Sequence, residues 1–256
     1  MQHFQLALGR WGRTLWRGVL QGLTPAHCLV CAVSVQEAAC VCVDCWSKLR
    51  ILEAPVCDVM GTPFAYDQGE AAVSAEAVAL APPWARARAA VLFDETSKHI
   101  VHRLKYSDRN EAGLFMARMM TRAGRHLIAE ADVIIPVPLH WTRLWKRRFN
   151  QAAFLAQQIA KGSTKAVDLT VLKRTRATPQ QVGLDHNARR KNMRKAFVVT
   201  APSKIKGRRV LLVDDVRTTG ATISACVEAL KLAGAPHVDV LTFALVRAPF
   251  RPHIEA

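Results

Sequence analysis

The run RVLLVDDVRTTGATISACVEAL, residues 209–230, constrains the fold more than any other feature of the chain. The apolar residues Val210–Val213 are typical of a strand buried on both faces, and two carboxylates follow where that strand ends. The loop 217–222 then offers small residues, backbone N–H groups and three hydroxyls at the start of a helix, which suits a phosphate monoester. Asp214 and Asp215 can accept hydrogen bonds from vicinal hydroxyls of a sugar that carries this phosphate. The local chemistry therefore predicts a ribose 5-phosphate site, with an ordinary aspartate-capped turn as the alternative.

The rest of the C-terminal two-thirds alternates short apolar runs with helical patterns, which predicts an α/β fold. The predicted strands are 88–94, 132–138, 168–174, 208–215 and 237–247, and the predicted helices are 95–106, 114–127, 149–159 and 222–232. Such alternation favours a parallel sheet with helices on both faces. In such sheets ligands bind beyond the carboxyl ends of the strands, which is where the two aspartates fall.

Cysteine is concentrated near the N-terminus, where six of the seven cysteines lie between Cys28 and Cys57. The segments CLVC and CVCVDC contain two CxxC steps, and paired steps of this kind form tetrahedral four-thiolate sites that favour zinc. The predicted metal ligands are Cys28, Cys31, Cys42 and Cys45. Cys40 is an alternative ligand, and an iron–sulfur cluster or a set of small buried side chains remains open. Four cysteine ligands leave no position for a water, so the expected role of the zinc is structural.

The N-terminal residues and the chain's division into domains can also be interpreted. Residues 1–25 repeat apolar residues at helical spacing, which predicts an amphipathic helix that docks on the protein or lies on a membrane surface. Neither a secretory signal nor a membrane-spanning run is recognisable, so we expect a cytoplasmic protein. Residues 61–88 are rich in alanine and broken by proline, as in a linker. The predicted domains are the helix 1–25, a zinc ribbon 26–60, the linker 61–88 and an α/β domain 89–256.

Positive charge is concentrated in the middle of the chain. The formal net charge is +16, and residues 98–207 contain 23 basic and 6 acidic residues. Because half of all residues are apolar, the chain as a whole is not disordered. A local excess of this size indicates an anionic partner: phosphate, pyrophosphate or a nucleic-acid backbone. Trp141, Trp145 and Phe149 lie among these cations, and their spacing fits base stacking or core packing.

The run VLLVDDVRTTGAT (210–222) resembles the phosphoribosyl-pyrophosphate signature of the type I phosphoribosyltransferases. Within that superfamily the chain is similar to the ComF family, which includes competence protein ComF and GntX-like proteins. The similarity lies in the cysteine module, HRLKY (102–106), PVPLHWTRLWKRRFNQA (136–152) and RTRATPQQVGLDHNARRKNMRKAF (174–197). It implies a type I phosphoribosyltransferase-like parallel sheet flanked by helices, preceded by an N-terminal helix and a small four-cysteine zinc ribbon.

The resemblance also implies roles for individual residues. Asp214 and Asp215 would hold the ribose hydroxyls. The 5-phosphate loop would consist of Thr218, Thr219, Gly220, Ala221 and Thr222. Lys105, Arg143 and Arg147 would face the pyrophosphate, although exposed arginines also line solvated helix faces. Residues around 174–200 would form a basic hood over the site.

Two departures from the family pattern change the expectations. The family carries further cysteines after the first two pairs, whereas this chain retains only Cys57, so we predict one zinc site. The family's RGFNQ is RRFNQ here, with Arg148 in place of glycine.

The function implied by the resemblance is binding of phosphoribosyl pyrophosphate with Mg²⁺, combined with help in DNA uptake during natural transformation. The implied partners are single-stranded DNA and the DNA-uptake machinery. Two alternatives stay open: an active phosphoribosyltransferase with an unknown acceptor, and a zinc-ribbon assembly or sensor module without catalysis. No residue is recognisable as a general base, so whether the chain is an enzyme is left open.

Overall fold

The computed structural model describes residues 26–106, 109–139, 149–175 and 196–247. The predicted N-terminal helix, Arg143, Arg147 and most of the predicted hood lie outside these residues. None of the described helices is long and apolar enough to cross a membrane.

The elements follow one another in the order expected of an α/β domain with a small N-terminal module. The strands are β1 (Ala26–His27), β2 (Ser34–Val35), β3 (Ala87–Leu92), β4 (Val133–Pro136), β5 (Ala166–Val167), β6 (Leu172–Arg174), β7 (Phe197–Val199), β8 (Arg209–Arg217) and β9 (His237–Leu245). The helices are α1 (Val43–Ser47), α2 (Ala75–Leu80), α3 (Glu95–Tyr106), α4 (Arg109–Ala123), α5 (Arg125–Glu130), α6 (Gln151–Ser163) and α7 (Ala221–Leu232), with a short 3₁₀ helix at Pro202–Lys204.

Five strands form one parallel sheet in the order β3-β9-β8-β4-β5, which confirms the predicted fold class. The central strand β8 pairs with β4 on one side and β9 on the other. Its residues Val210–Val213 are almost completely buried, as their uninterrupted apolar sequence predicts. The strand that carries the two aspartates is therefore paired on both sides and buried on both faces up to Val213.

Helices cover both faces of the sheet, and side chains of β8 alternate between two apolar cores. Leu211 and Val213 pack with α3, α4 and α6, while Val210 and Leu212 pack with α7. This alternation follows from the period of two in an extended strand. Both faces of β8 are packed with apolar side chains. Polar side chains that could bind a ligand therefore lie at the end of the strand.

The predicted boundaries of two elements are wrong. The helix predicted at 114–127 begins earlier, at Arg109, and is divided into α4 and α5 at Gly124. A Cβ atom on Gly124 would approach the side chain of Leu241 to 2.7 Å, so a larger residue would have to displace this buried leucine.

The run 168–174 is not a strand of the parallel sheet. Asp168 instead begins a turn, because its Oδ1 accepts hydrogen bonds at 2.9 Å from the N–H groups of Thr170 and Val171. The following residues form β6, which pairs antiparallel with β7, while β5 takes the edge of the sheet.

The N-terminal module is packed against the α/β domain. Leu52 donates a backbone hydrogen bond to Ala90 at 2.9 Å, and Leu92 donates one to Arg50 at 2.8 Å. Leu29, between two of the cysteines, is fully buried in the core that contains α4. Within the predicted linker 61–88 the structure has the helix α2, and Trp84 is only 6% exposed. The end of this segment therefore belongs to the packed core.

Candidate functional site

The four cysteines predicted as metal ligands come together in the N-terminal module. The Sγ atoms of Cys28, Cys31, Cys42 and Cys45 all lie within 4.8 Å of one another. The Sγ atoms of Cys31 and Cys42 are 3.7 Å apart, close to the spacing of about 3.8 Å between two thiolates of a tetrahedral zinc site. The set therefore fits a structural zinc ion.

The hydrogen bonds of Cys28 and Cys40 support this ligand set. Cys28 Sγ accepts backbone hydrogen bonds from Val30 at 3.4 Å and Cys42 at 3.3 Å, as expected of a thiolate in a CxxC turn. Cys40, the alternative ligand, instead donates its S–H to the carbonyl oxygen of Glu37 at 2.9 Å. Burial and the three neighbouring thiols raise the pKa of Cys45 to about 12. A cation is needed to hold all four as thiolates.

Cys57 lies apart from this cluster and is fully buried. Its Sγ accepts backbone hydrogen bonds from Met60 at 3.4 Å and Ser74 at 3.2 Å. These bonds hold the turn at residues 57–61 against the segment that precedes α2. Among the residues that the structure describes, the grouped metal-ligating side chains are the four cysteines of the first cluster.

At the carboxyl end of the sheet, Asp214 and Asp215 lie beyond the last residue pair that joins β8 to β4. Pairing between β4 and β8 ends at Pro136 and Val213, whereas β8 continues along β9 as far as Arg217. Each aspartate accepts a hydrogen bond from the next backbone N–H: Asp215 donates to Asp214 at 2.9 Å, and Val216 donates to Asp215 at 2.8 Å. Their carboxylates keep further lone pairs for hydroxyl groups.

Lys105 is brought to these acids by α3. Asp94 and Ser97 hydrogen-bond reciprocally at the start of that helix, with Ser97 N–H donating to Asp94 Oδ1 at 2.9 Å. In the last turn of the same helix, Lys105 Nζ lies 3.1 Å from Asp215 Oδ2. Burial and the negative charge of Asp215 raise the pKa of Asp214 well above its ordinary value. A carboxylate pair with one cation beside it suits a ligand that brings hydroxyl groups or a metal ion.

The predicted phosphate loop connects β8 to α7. Thr218 and Thr219 are exposed, and Gly220 is buried with a φ of +76°. Glycine adopts this left-handed conformation readily, whereas a residue with a side chain would be strained. The helix α7 begins at Ala221, so the loop presents the positive end of a 12-residue helix beside the acids.

The prediction missed Asn150 as an anchor of this edge. Its Nδ2 donates to the carbonyl oxygen of Val137 at 3.3 Å, and its Oδ1 accepts from the N–H of Ala153 at 3.3 Å. Asn150 therefore caps α6 and ties it to the end of β4. An asparagine directly before an apolar helical pattern is an N-cap signal, whereas the prediction began this helix at Phe149.

Comparisons with known proteins agree with this geometry. Residues 19–77 match the double zinc ribbon domain, and residues 149–253 match the phosphoribosyl transferase domain. The DNA utilization protein YhgH of Escherichia coli O157:H7 is 34% identical over 164 residues, which cover 62% of this chain and 71% of that protein. The chain belongs to the ComF family.

This ComF-family protein is also similar to a second curated protein and to solved structures. Competence protein F of Haemophilus influenzae is 33% identical over 147 residues, which cover 55% of this chain and 64% of that protein. Among solved structures, orotate phosphoribosyltransferase from Aeropyrum pernix is 16% identical, with a TM-score of 0.33 over 62% of this chain and 80% of that chain.

Several ComF-type site residues were predicted from the resemblance. The structure brings Lys105 together with Asp214 and Asp215, and it places the loop 218–222 directly after them. Arg143, Arg147, Trp141 and Trp145 lie outside the described residues. Of the predicted hood, the structure describes only the two ends, residues 174–175 and 196–200. They belong to the antiparallel pair β6 and β7, where the Arg174 guanidinium lies 5.5 Å from the ring centre of Phe197.

A separate cavity of about 790 Å³ lies between the N-terminal module and the sheet. The residues that line it include two ion pairs, Arg88–Asp58 at 2.5 Å and Arg122–Glu53 at 2.7 Å. Neither the two aspartates of β8 nor the phosphate loop lines it. The cavity is therefore distinct from the candidate sugar-phosphate site.

Proposed function

We propose that this ComF-family protein binds phosphoribosyl pyrophosphate together with Mg²⁺ at the carboxyl end of β8, and that it assists DNA uptake by handling single strands. The observation that carries the first part is the juxtaposition of Asp214 and Asp215, Lys105 and the loop before α7. Each of these groups matches one part of the ligand.

The proposed roles follow from the chemistry of each side chain. Asp214 and Asp215 accept hydrogen bonds from the two vicinal hydroxyls of the ribose. Residues 218–222 supply hydroxyls and N–H groups to the 5-phosphate. Lys105, assisted by Arg143 and Arg147, neutralises pyrophosphate oxygens.

The carboxylates also suit Mg²⁺, which takes oxygen ligands and is usually bound by one or two carboxylates together with substrate phosphates. When bound, the ion would offset the negative charge of the pyrophosphate. Asp214 and Asp215 are the carboxylates that we propose for this role, because they lie on β8 directly before the proposed phosphate loop.

Calorimetry tests the sugar-phosphate proposal directly. Wild-type protein is titrated with phosphoribosyl pyrophosphate in Mg²⁺ buffer, beside a double variant, Asp214→Asn with Asp215→Asn. We expect the double variant to lose at least about tenfold in affinity, because hydrogen bonds to charged groups contribute ~1.5–3 kcal/mol each. A matched control, Asp44→Asn with Asp67→Asn, makes the same charge change at two exposed sites and should bind normally. Absence of binding by the metal-replete wild type would overturn the proposal.

The DNA part of the proposal draws on the relatives' names and on charge. The similar proteins are called DNA utilization protein and competence protein, and residues 98–207 of this chain carry 17 more basic than acidic residues. A pyrophosphate needs only a few of these cations, so the surplus suits a longer polyanion.

Fluorescence anisotropy with a labelled oligothymidylate tests this second part. We expect the logarithm of the affinity to fall linearly with the logarithm of the salt concentration. Exchange of the exposed Lys173 and Lys206 for glutamate should weaken binding, whereas exchange of the exposed Arg50 and Lys231, which lie outside the basic stretch, should change it little. Binding that is absent, or that does not respond to salt, contradicts DNA handling by this chain.

A further inference from the structure

Arg217, at the end of β8, is a buried cation that the proposed ligand contacts do not use. It is only 3% exposed, and burial lowers its pKa to about 10. Its Nη2 donates a hydrogen bond to the carbonyl oxygen of Met60, while its Nη1 is buried and has no hydrogen-bond partner among the described residues. A buried guanidinium is costly, so its position needs compensating contacts.

Trp84 provides one of these contacts. The Arg217 guanidinium carbon lies 5.5 Å from the centre of the Trp84 ring, within the range of a cation–π interaction. The indole Nε1 donates to the carbonyl oxygen of Val59 at 2.8 Å. Trp84 and Arg217 are therefore both tied to the same turn, Val59–Met60, through adjacent carbonyl groups.

The Trp84 ring also lies beside the phosphate loop. A Cβ atom on Gly220 would lie 3.0 Å from Trp84 Cη2, so the indole occupies the space beside this glycine. Gly220 has its left-handed backbone conformation at this contact and directly precedes α7. Movement of the indole would therefore change the space available to the loop.

We infer that Trp84 and Arg217 are positioning residues, which fix the shape of the loop 218–222 from the Val59–Met60 turn of the N-terminal segment. We call this pair the Trp84–Arg217 brace. The inference deepens the proposed function, because the loop it fixes is the proposed 5-phosphate site. It assigns to the N-terminal segment a part in phosphate recognition at the far end of the chain.

Hydrogen exchange in the ligand-free protein tests the brace without reference to any ligand. In the variant Trp84→Leu, the amides of residues 218–222 should exchange at least about tenfold faster than in the wild type, since the loop loses its packing partner. The matched control is Trp46→Leu, which removes an indole of the N-terminal module that packs edge-to-face on Phe115, with ring centres 6.5 Å apart. That control should destabilise the protein and leave loop exchange near the wild-type rate.

Ligand affinity gives the second readout. Trp84→Leu should weaken binding of ribose 5-phosphate by about tenfold in fully folded protein, because a misplaced loop loses aligned donors. Trp84→Phe keeps an aromatic ring beside Arg217 and loses the bond to Val59, so it should recover most of the affinity. If the role of Trp84 were purely structural, Trp84→Leu and Trp84→Phe would both lower the melting temperature without this difference in affinity.

The outcomes separate the brace from the proposed function. If the wild type binds neither sugar phosphate, the proposed function is wrong, and the exchange rates still decide the brace. If Trp84→Leu and Trp46→Leu leave loop exchange equally unchanged, the brace is wrong even where the sugar phosphate binds. If Trp84→Leu does not fold, Arg217→Lys takes its place, and unchanged loop exchange in that variant overturns the inference.

Discussion

At the amino end of the sheet Arg86 lies between two carboxylates, whereas at the carboxyl end two carboxylates lie side by side. Arg86 Nη2 is 2.7 Å from Asp239 Oδ2 and 2.9 Å from Glu130 Oε2, and Arg209 also contacts Glu130 at 2.6 Å. At the opposite edge Lys105 is the one cation paired with Asp214 and Asp215 among the described contacts.

The carboxyl groups at the two edges have pKa values shifted in opposite directions. Hydrogen bonds from Arg86 lower the pKa of Glu130, while burial and the charge of Asp215 raise the pKa of Asp214. The first edge therefore stabilises the fold. The second keeps an acid in an unfavourable environment, a feature that is common at functional sites.

The largest effect is expected at the amino edge, from Asp239→Asn. The Asp239 side chain is only 6% exposed and accepts two hydrogen bonds from Arg86. In the variant, a neutral amide replaces this carboxylate beside the partly buried guanidinium. We expect a loss of about 3 kcal/mol in the free energy of unfolding, measured with urea. The exposed variant Asp67→Asn serves as control, and a loss below ~1 kcal/mol, typical of a surface pair, would contradict a stabilising role for this edge.

The same substitution at the carboxyl edge should have the opposite sign. Asp214→Asn keeps an oxygen to accept the N–H of Asp215 and removes the repulsion between two neighbouring charges. We expect a gain of about 1 kcal/mol, which raises the melting temperature by ~2–4 °C. A lower melting temperature than that of the wild type would show that the acid pair stabilises the fold.

The smallest effect is a difference in pH dependence. Because the pKa of Asp214 is raised by folding, the native state binds more protons than the unfolded state, and stability falls as pH rises above the ordinary aspartate pKa of about 3.9. Because the pKa of Glu130 is lowered, its stabilisation is present above the ordinary value and is lost as pH falls through the lowered pKa.

Unfolding of Asp214→Asn and Glu130→Gln from about pH 3 to about pH 8 measures both contributions. The gain from the first variant and the loss from the second should both shrink in acid. If the two differences have the same sign at neutral pH, the contrast between the edges does not hold.

The sequence places the central strand and the cysteine cluster correctly because both follow from local patterns, whereas the roles of the two aspartates stay predictions. Val210–Val213 and the two aspartates lie in one uninterrupted pattern, and the four cysteines lie within two short segments. The fold class follows from alternation of strands and helices, and the structure confirms it.

The features that the sequence did not predict depend on contacts between distant parts of the chain. Arg86 and Asp239 are 153 residues apart, and no local pattern links them. Similarly, Leu172 belongs to the run predicted as a parallel strand, but it pairs antiparallel with Val199. Trp84 belongs to the predicted linker and packs beside Gly220. Such pairs are set by tertiary packing, which periodicity does not encode.

The backbone bonds that residues 50–52 make to β3 have a consequence for self-association. β3 is an edge strand, and an uncovered edge presents N–H and C=O groups on which a second chain can add a strand. Leu52 and Arg50 occupy two of these groups, on Ala90 and Leu92. A chain that began at residue 61 would expose them together with the apolar surface beneath Leu29. The cysteine module thus also covers part of an edge of this phosphoribosyltransferase-type sheet on which another strand could add.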